Sequence, residues 1–368
     1  MIKIVISGYY GFDNAGDEAM LRAIVESFRR HSDQARIIVL TANPSKTEQY
    51  NDVIGVDRMN FWQVRKAIAE ADLVISGGGS LFQDVTSARS IYYYLSIIAL
   101  AKLYRKKIMI YAQGIGPVQR KLARFLTSFL LNRVSLITVR DEKSAQELYK
   151  LKVRKDLIHV TADPVLAFPP QDKEKGRELL LKEGIPLGED RPLIGVSVRE
   201  WQQFGGYKKA LAECCRELVR KINALIVFFP MHLPADVETS NQIQEMIGEG
   251  AYVLKNEYGA KEMIALIGCC TMLIGVRLHA LIFAVLMGVP VIGLSYDPKV
   301  DRFLSSLNLN SVGHIGELNS KELLNAIEYT YNNREELKRE LLAKVEELRK
   351  AAEKNVELAW QLVGSDGN

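Results

Sequence analysis

Residues 271–294 read TMLIGVRLHALIFAVLMGVPVIGL, in which two short β-branched runs flank a longer apolar segment. The runs at 271–274 and 289–294 have the length of buried strands, and the segment between them has the length of a helix. A strand, a helix and a second strand in succession form the unit from which parallel sheets are built. The stretch therefore predicts an α/β fold, with Arg277 and His279 at the junction between a strand and the helix that follows it.

The same alternation runs through the rest of the chain in two successive series. The first series predicts strands at 2–7, 36–40, 72–76, 107–111, 135–139 and 157–160, with helices between them, for instance at 17–31 and 61–71. The second predicts strands at 193–198, 224–229, 251–254, 271–274 and 289–294. Two such series resemble the layout of the GT-B glycosyltransferases. We therefore expect two Rossmann-like domains, with the active site in the interdomain cleft beyond the carboxyl ends of the strands.

Two proline clusters interrupt the alternation, DP at 163–164 and FPP at 168–170, and a charged stretch containing Gly and Pro follows them. Such composition is typical of a connection between domains. A charged helical pattern with Leu341, Val345 and Leu348 at helical spacing ends the chain. We predict an N-terminal domain at 1–168, a linker at 169–191, a C-terminal domain at 192–332 and a helical segment at 333–368.

The composition is that of a globular protein, with 48% hydrophobic and 25% charged residues among 368. The net charge of +4 is too small to indicate a nucleic-acid partner. The longest apolar stretch, at 91–104, is shorter than the roughly 20 residues that a membrane span needs. Because no secretion signal is visible and the four cysteines form two adjacent pairs, at 214–215 and 269–270, we expect packing thiols in a cytoplasmic protein.

Polar and glycine-rich segments follow three predicted strands of the first domain. GYYGFDNAGDE at 8–18 contains Asp13, Asn14 and Asp17, SGGGSLFQD at 76–84 contains Gly79 and Asp84, and QGIGP at 113–117 begins with Gln113. The segment at 8–18 is neither a dinucleotide fingerprint nor a P-loop, because its glycines are differently spaced and no GK[ST] follows. Each segment is either a tight packing turn, with Asp17 as a helix cap in the first of them, or a site whose side chains bind the hydroxyls of a sugar.

Cationic and titratable side chains follow three predicted strands of the second domain: Arg199, His232, and Arg277 with His279. An arginine at such a position is often in a salt bridge, and a histidine is often a helix cap or a core residue. Three of these positions on one edge of a sheet, with a helix N-terminus beginning near Arg277, favour an anion site. Arg277 and His279 are two residues apart, so they must lie in the turn or in the first helical residues to share a ligand.

The blocks GYYGFDNAGDEAML, SGGGSLFQD, AQGIGP and GVRLHALIFAVLMGVPVIGLSYDPKV, which extend from residue 8 to about 300, closely resemble the polysaccharide pyruvyltransferases, in particular those of the CsaB type. The resemblance implies a GT-B-like enzyme that moves pyruvate from phosphoenolpyruvate onto N-acetylmannosamine of a secondary cell-wall polymer as a ketal. The pyruvylated polymer then anchors S-layer proteins through their SLH domains. His279 corresponds to the proposed catalytic histidine, and Arg277 and Arg199 to arginines that grip the donor.

We accordingly expect phosphoenolpyruvate to bind the second domain, through Arg199, Arg277 and His232. The saccharide acceptor would bind the first domain, and a lipid-linked acceptor would bring the enzyme peripherally to the inner face of the cell membrane. We see no metal-ligand cluster and expect no cofactor beyond phosphoenolpyruvate as co-substrate. The alternatives are a GT-B glycosyltransferase with a nucleotide-sugar donor and a non-catalytic carbohydrate-binding protein. A nicotinamide dehydrogenase is disfavoured, because no GxGxxG with a following acidic residue is present.

Overall fold

A computed structural model describes residues 1–32, 35–85, 87, 89–188, 191–201 and 206–364. The chain forms two compact units. The first contains Met1–Phe168 together with Leu348–Asn368, and the second contains Pro169–Glu347.

The first unit is built on a parallel sheet of seven strands in the order β3-β2-β1-β4-β5-β6-β7. The strands are β1 (Ile2–Ser7), β2 (Ala35–Thr41), β3 (Ile54–Asp57), β4 (Leu73–Gly77), β5 (Lys107–Gln113), β6 (Leu136–Val139) and β7 (Ile158–Val160). The strand order reverses between β1 and β4. The loops that follow these two neighbouring strands therefore flank the crevice in which open α/β sheets bind ligands.

Helices cover both faces of this sheet: α1 (Ala15–His31), α2 (Pro44–Asn51), α3 (Phe61–Glu70), α4 (Ser90–Leu103), α5 (Lys121–Leu131) and α6 (Glu142–Lys150). Apolar residues of α3, α4, α5 and α6 share one core with the sheet. Residues of α1 pack into a second core, which also contains Val356 and Ala359 from the end of the chain. Short 3₁₀ helices lie at Lys155–Leu157 and Pro164–Ala167.

The second unit has a parallel sheet of five strands in the order β10-β9-β8-β11-β12. Its strands are β8 (Leu193–Ser197), β9 (Leu225–Phe228), β10 (Ala251–Val253), β11 (Met272–Gly275) and β12 (Val291–Gly293). Its helices are α7 (Lys173–Lys182), α8 (Gly206–Ile222), α9 (Ala235–Ile247), α10 (Ala260–Ile267), α11 (Leu278–Leu286), α12 (Pro298–Ser306), α13 (Ser320–Asn332) and the first part of α14 (Arg334–Gly364). Here the strand order reverses between β8 and β11. The fold class predicted from the sequence, α/β with two helix-covered parallel sheets, is confirmed.

The segment predicted as a linker, 169–191, belongs to the second unit, and its residues 189–190 lie outside the described ones. Ten of its residues form α7, which buries Leu180. Gly176 allows close packing, since a Cβ there would lie 2.3 Å from the carbonyl oxygen of Ala265. The carboxylate of Glu183 accepts hydrogen bonds from the backbone N–H groups of Lys255 and Asn256, each at 3.0 Å.

The predicted C-terminal segment is divided between the units. Residues up to Glu347 belong to the second unit and those from Leu348 to the first, and the last four residues of the chain lie outside the described part. Asn355 is fully buried and accepts a hydrogen bond from the Thr161 hydroxyl at 2.8 Å. None of the helices described above combines the length and the hydrophobicity that a membrane crossing requires.

Candidate active site

The edge of the second sheet where β8, β9, β11 and β12 end carries the predicted anion-binding residues. Arg277 is the N-cap residue of α11, with an extended backbone (φ −80°, ψ 120°) and no side-chain cap. His279 is the second residue of the helix. This placement satisfies the requirement that the two residues lie in the turn or in the first helical residues. The first N–H groups of a helix have no partner within it, so this edge carries partial positive charge as well.

Asp236, at the start of α9, binds the Arg277 guanidinium. Its two carboxylate oxygens accept hydrogen bonds from Nε of Arg277, at 2.9 Å, and from Nη2. The same carboxylate accepts the backbone N–H groups of Met231 and His232, at 3.1 and 3.0 Å. Asp236 is fully buried, while 13% of the Arg277 side chain is exposed. Such a bidentate pair fixes the plane of the guanidinium. Because Asp236 binds Nε and Nη2, the Nη1 group of Arg277 can bind a ligand.

Arg199, which follows β8, lies against two aromatic rings instead of a carboxylate. Its Nη1 donates to the hydroxyl of Tyr296 at 2.9 Å. Its guanidinium carbon lies 4.9 Å from the ring centroid of Tyr296 and 5.5 Å from that of Trp201. Within the described ranges Arg199 has no acidic partner. Its charge is therefore not neutralised by a neighbouring carboxylate.

Tyr296, which follows β12, reports the electrostatics of this edge. Burial raises the pKa of its hydroxyl, but the charges of Lys299, Arg199 and Arg277 together lower that pKa by more than burial raises it. The pKa therefore lies below its ordinary value. Nζ of Lys299 is 5.3 Å from the centroid of the Tyr296 ring. Three cations that outweigh the desolvation of a nearly buried phenol create a positive potential. A small anion with more than one charged group fits this site.

The two histidines of the site are both partly exposed. The ring of His279 lies 6.5 Å from that of Phe283, one helical turn further along α11. His232 is joined to Arg277 through Asp236, which binds the backbone N–H of the first and the side chain of the second. The structure thus brings His232, Arg277 and His279 to one edge, with Arg199 at the end of the adjacent strand β8.

In the first unit, residues 8–14 form the loop between β1 and α1, and residues 15–18 begin the helix. Asn14 caps α1 by accepting from the backbone N–H groups of Gly16 and Asp17. Asp13 pairs with Nζ of Lys46 at 2.6 Å. The residue that caps α1 is therefore Asn14 and not Asp17, while Asp13 and Asp17 lie at the edge of the sheet.

Glu18, in the first turn of α1, is a further residue of this edge that the sequence does not indicate as a site residue. Its Oε1 accepts the N–H of Gly11 at 2.7 Å. Burial raises the pKa of Glu18 to about 7, with the negative charges of Asp17 and Asp13 adding to the effect, while the Gly11 N–H and Lys46 oppose it. A carboxyl group with a pKa near neutrality can accept or deliver a proton.

The loop after β4 adopts the conformation that its glycines predict. Gly78 and Gly79 have φ angles of +63° and +82°, which side-chain-bearing residues rarely adopt. Gln113 is fully buried and holds this loop on both sides, accepting from the N–H of Leu81 at 3.1 Å and donating to the carbonyl of Gly78 at 2.8 Å. Its amide is therefore used by the protein itself, in a supporting role.

Asp84 is likewise used by the protein. Its two oxygens accept the backbone N–H groups of Gln119 and Arg120, each at 2.8 Å, just before α5 begins. Its side chain is nearly buried. Gln113 and Asp84, which were predicted to bind the acceptor, thus bind backbone groups of the loops at this edge. Gly79 lies in the loop after β4 that Gln113 stabilises.

The sequence reasoning did not identify Asp236, Tyr296 and Lys299. Tyr296 and Lys299 follow the last strand of the sheet, so the rule that found Arg199 and Arg277 would also have found them. Asp236 gives no comparable signal, because an acidic residue in the first turn of a helix is common for reasons of capping alone. Among the residues that the structure describes, no cluster of His, Cys, Asp and Glu could hold a metal ion.

Solved structures of similar fold cover nearly the whole chain. HepE of Anabaena in complex with UDP has a TM-score of 0.67 at 15% identity, over 98% of this chain and 99% of HepE. The UDP-GlcNAc 2-epimerase of Neisseria meningitidis bound to UDP-GlcNAc has a TM-score of 0.65 at 13% identity, over 98% and 100%. A glycosyltransferase of Rickettsia africae has a TM-score of 0.65 at 15% identity, over 98% and 99%. The fold is therefore GT-B-like, as the sequence predicts.

Sequence comparison identifies the family. The amylovoran biosynthesis protein AmsJ of Erwinia amylovora is 18% identical over 408 residues, an alignment that covers 95% of this chain and 96% of AmsJ. The polysaccharide pyruvyl transferase family matches residues 14–298, a range that includes the glycine loops, Arg199, Asp236, Arg277 and Tyr296. The chain belongs to the polysaccharide pyruvyl transferase family.

Proposed function

We propose that this chain transfers pyruvate from phosphoenolpyruvate to two hydroxyls of one sugar in a polysaccharide precursor, forming a ketal and releasing phosphate. The proposal rests on one observation in the second unit: two arginines lie at the same edge of its sheet, Arg277 fixed by the buried Asp236 and Arg199 bound to the Tyr296 hydroxyl. Phosphoenolpyruvate carries a phosphate and a carboxylate, and the planar guanidinium groups of two arginines suit both.

The arginines have different roles in this proposal. Asp236 fixes Arg277 in one plane, so Arg277 presents its remaining N–H groups in a constant direction. Among the described residues, the Arg199 guanidinium contacts the rings of Tyr296 and Trp201 and the Tyr296 hydroxyl but no carboxylate, so it can turn toward an entering anion. The uncapped N-terminus of α11 adds backbone donors beside them. His232, whose backbone N–H donates to the same carboxylate of Asp236 as Arg277, is the last residue that we assign to the phosphoenolpyruvate site.

The reaction requires proton transfers from the sugar hydroxyls and to the methylene carbon, and we assign one of these transfers to His279. One sugar hydroxyl adds to C2 of phosphoenolpyruvate, while the methylene carbon gains a proton and becomes the methyl group. Phosphate then leaves C2, and the second hydroxyl of the sugar attacks the same carbon. Of the two protons released by the hydroxyls, one balances the proton gained by the methyl group and the other leaves with phosphate. Histidine suits such proton traffic near neutral pH.

We assign the acceptor to the loops after β1 and β4 in the first unit, where Asp13, Asp17 and Gly79 lie at the edge of the sheet. A pyranose presents hydroxyls that carboxylates bind well, and Glu18, with a pKa near 7, can take up a proton there. We propose N-acetylmannosamine in a lipid-linked secondary cell-wall polymer as this sugar, with the product anchoring S-layer proteins. The name of AmsJ, an amylovoran biosynthesis protein, is consistent with an acceptor of the polysaccharide class.

Phosphate release from phosphoenolpyruvate, with and without a lipid-linked disaccharide bearing N-acetylmannosamine, tests the proposal. We expect release that depends on the acceptor and persists in excess chelator. His279→Ala should lower turnover about 10²- to 10⁴-fold, the usual contribution of one acid–base group, and Arg277→Ala should chiefly weaken donor binding. Arg220→Ala, which removes an exposed arginine paired with Glu217, is the matched control and should leave the rate unchanged. Turnover by His279→Ala at the wild-type rate would remove His279 from the mechanism.

A glycosyltransferase reaction with a nucleotide-sugar donor is the second candidate, since HepE and the epimerase of similar fold were solved with UDP or UDP-GlcNAc. Trp201 and Tyr296 could stack against a base as readily as against Arg199. Sugar transfer from a UDP-sugar, with no acceptor-dependent release of phosphate from phosphoenolpyruvate, would establish this alternative.

A further inference from the structure

Helix α5 of the first unit carries an apolar stripe on the side that faces away from its sheet. Leu122, Phe125 and Phe129 are 59%, 63% and 44% exposed. They are three and four residues apart, so they lie along one side of the helix. The two phenylalanine rings stack, with centroids 6.0 Å apart. The opposite side of the helix already packs into the unit through Ala123 and Leu131, so the stripe is not part of the core.

The segment that carries this stripe is basic. The segment at 119–134, QRKLARFLTSFLLNRV, contains four basic residues and no acidic one. All four are exposed: Arg120, Lys121, Arg124 and Arg133. The guanidinium carbon of Arg133 lies 3.6 Å from the centroid of the Phe129 ring, so charge and apolar surface are in direct contact. Exposed aromatic residues bordered by Lys and Arg are the pattern of helices that lie in the interface of an anionic bilayer.

We propose that this face of α5, defined by Leu122, Phe125 and Phe129 with the four exposed cations of the same segment, docks the protein on an anionic phospholipid surface. The helix would lie flat, with the three apolar side chains among the acyl chains and the cations at the phosphates. A second copy of this chain fits the face less well. A two-fold interface would bring the same four cations of each copy together, and like charges at an interface are costly.

Docking through α5 would also bring the glycine loop after β4, one of the loops that we assign to the acceptor, close to the membrane. Asp84 ends the glycine loop after β4 and binds the backbone N–H groups of Gln119 and Arg120, directly before the helix. A membrane-bound α5 therefore places that edge of the first unit next to the lipid headgroups. The docking itself rests on the surface alone, so its test needs neither phosphoenolpyruvate nor a sugar.

Flotation of the full chain with vesicles tests this inference. We expect binding to vesicles of phosphatidylcholine containing phosphatidylglycerol, weak binding to pure phosphatidylcholine, and loss of binding at high salt. Phe125→Ser and Phe129→Ser should each lower the partition coefficient about 10-fold, and Lys121→Gln about 5-fold. Tyr329→Ser in the second unit is the matched control, since it removes a ring with 63% exposure outside this face.

Three results would overturn the inference. One is equal binding of the wild type to neutral and anionic vesicles, and another is undiminished binding by Phe125→Ser combined with Phe129→Ser. The third is a wild-type dimer in sedimentation that these substitutions dissociate, with no vesicle binding, which would identify the face as a contact between copies. The substituted residues are all exposed, and each receives a smaller or shorter polar side chain. Circular dichroism of the variants at Lys121, Phe125, Phe129 and Tyr329 should therefore match the wild type.

Discussion

Asp236 holds Arg277 in place at the edge of the second sheet where β8, β9, β11 and β12 end. It is fully buried and binds Arg277 through both oxygens, and it also accepts two backbone N–H groups. A carboxylate that is desolvated to this degree is stable only with its partners in place. Its role is therefore to position Arg277, and the guanidinium in turn neutralises the buried charge.

Asp236→Ala should lower the free energy of unfolding by about 3 kcal/mol, because it leaves Arg277 and two backbone N–H groups without their acceptor. Arg277→Ala should cost a similar amount, since it strands the buried carboxylate. The double variant should cost clearly less than the sum, which urea unfolding of the four proteins measures as a double-mutant cycle. Strictly additive costs would show that the two side chains do not act as a pair.

Glu18 makes stability depend on pH. Its folded pKa of about 7 lies above that of an unfolded glutamate, so the folded state favours the protonated form. The stabilisation that this gives is complete below the unfolded pKa and is lost as the pH rises through 7. Glu18→Gln, which keeps an oxygen for the Gly11 N–H, should therefore be more stable than the wild type at pH 8, by about 1–2 kcal/mol. The difference should vanish near pH 4. Urea unfolding across this range measures it, and a difference independent of pH would contradict the assignment.

At the scale of secondary structure, the sequence predicts nearly every element. All eleven predicted strands are present, and nine of them are mainly buried in a parallel sheet, the exceptions being the edge strands β7 and β10. The strand β3 (Ile54–Asp57) was missed. It is an edge strand with a glycine in its centre, and none of its residues is fully buried, so its sequence lacks the apolar run of the others.

The candidate site could be predicted only in part, for a related reason. Arg199 and Arg277 follow predicted strands, and parallel strands end at a common edge, so their proximity follows from topology. Whether a polar side chain faces a ligand or the protein cannot be read from that rule. Gln113 and Asp84 follow the same pattern, yet their hydrogen bonds go to the backbone of neighbouring loops.

Asp84 links two elements, the glycine loop after β4 and the start of α5, and its loss should affect both. We expect Asp84→Ala to lower the free energy of unfolding by about 1–2 kcal/mol, as for the loss of a helix cap. Hydrogen exchange should become faster at the amides of Gln119 and Arg120. Asp156→Ala, which removes an exposed carboxylate paired with Arg154, is the control and should change neither quantity. Unaltered exchange before α5 in Asp84→Ala would show that the carboxylate does not hold this junction.

At the scale of the whole molecule, the first unit is discontinuous in sequence. Its main part ends at Phe168, and the chain returns to it at Leu348 after the entire second unit. Val356 and Ala359 of α14 are fully buried in the core formed by α1 and the sheet. The ring of Trp360 lies 5.8 Å from that of Phe28 in α1. The helical spacing of the C-terminal segment predicts a packed helix, but the spacing does not say which surface the helix covers.

A chain that ends at Glu347 should therefore keep a stable second unit and lose stability in the first. Removal of residues 348–368 uncovers apolar surface and takes away Asn355, whose Nδ2 and Oδ1 bind Ala162 and Thr161. Burial of a valine alone contributes about 1.5–3 kcal/mol, so the total loss should be at least about 3 kcal/mol. Hydrogen exchange during a urea titration should show early opening of β1 and α1, with β8 and β11 unaffected. A chain that ends at Gly364 keeps every contact described here and should match the full-length protein. Equal protection of β1 in the two truncated chains would mean that the first unit is complete without the end of α14.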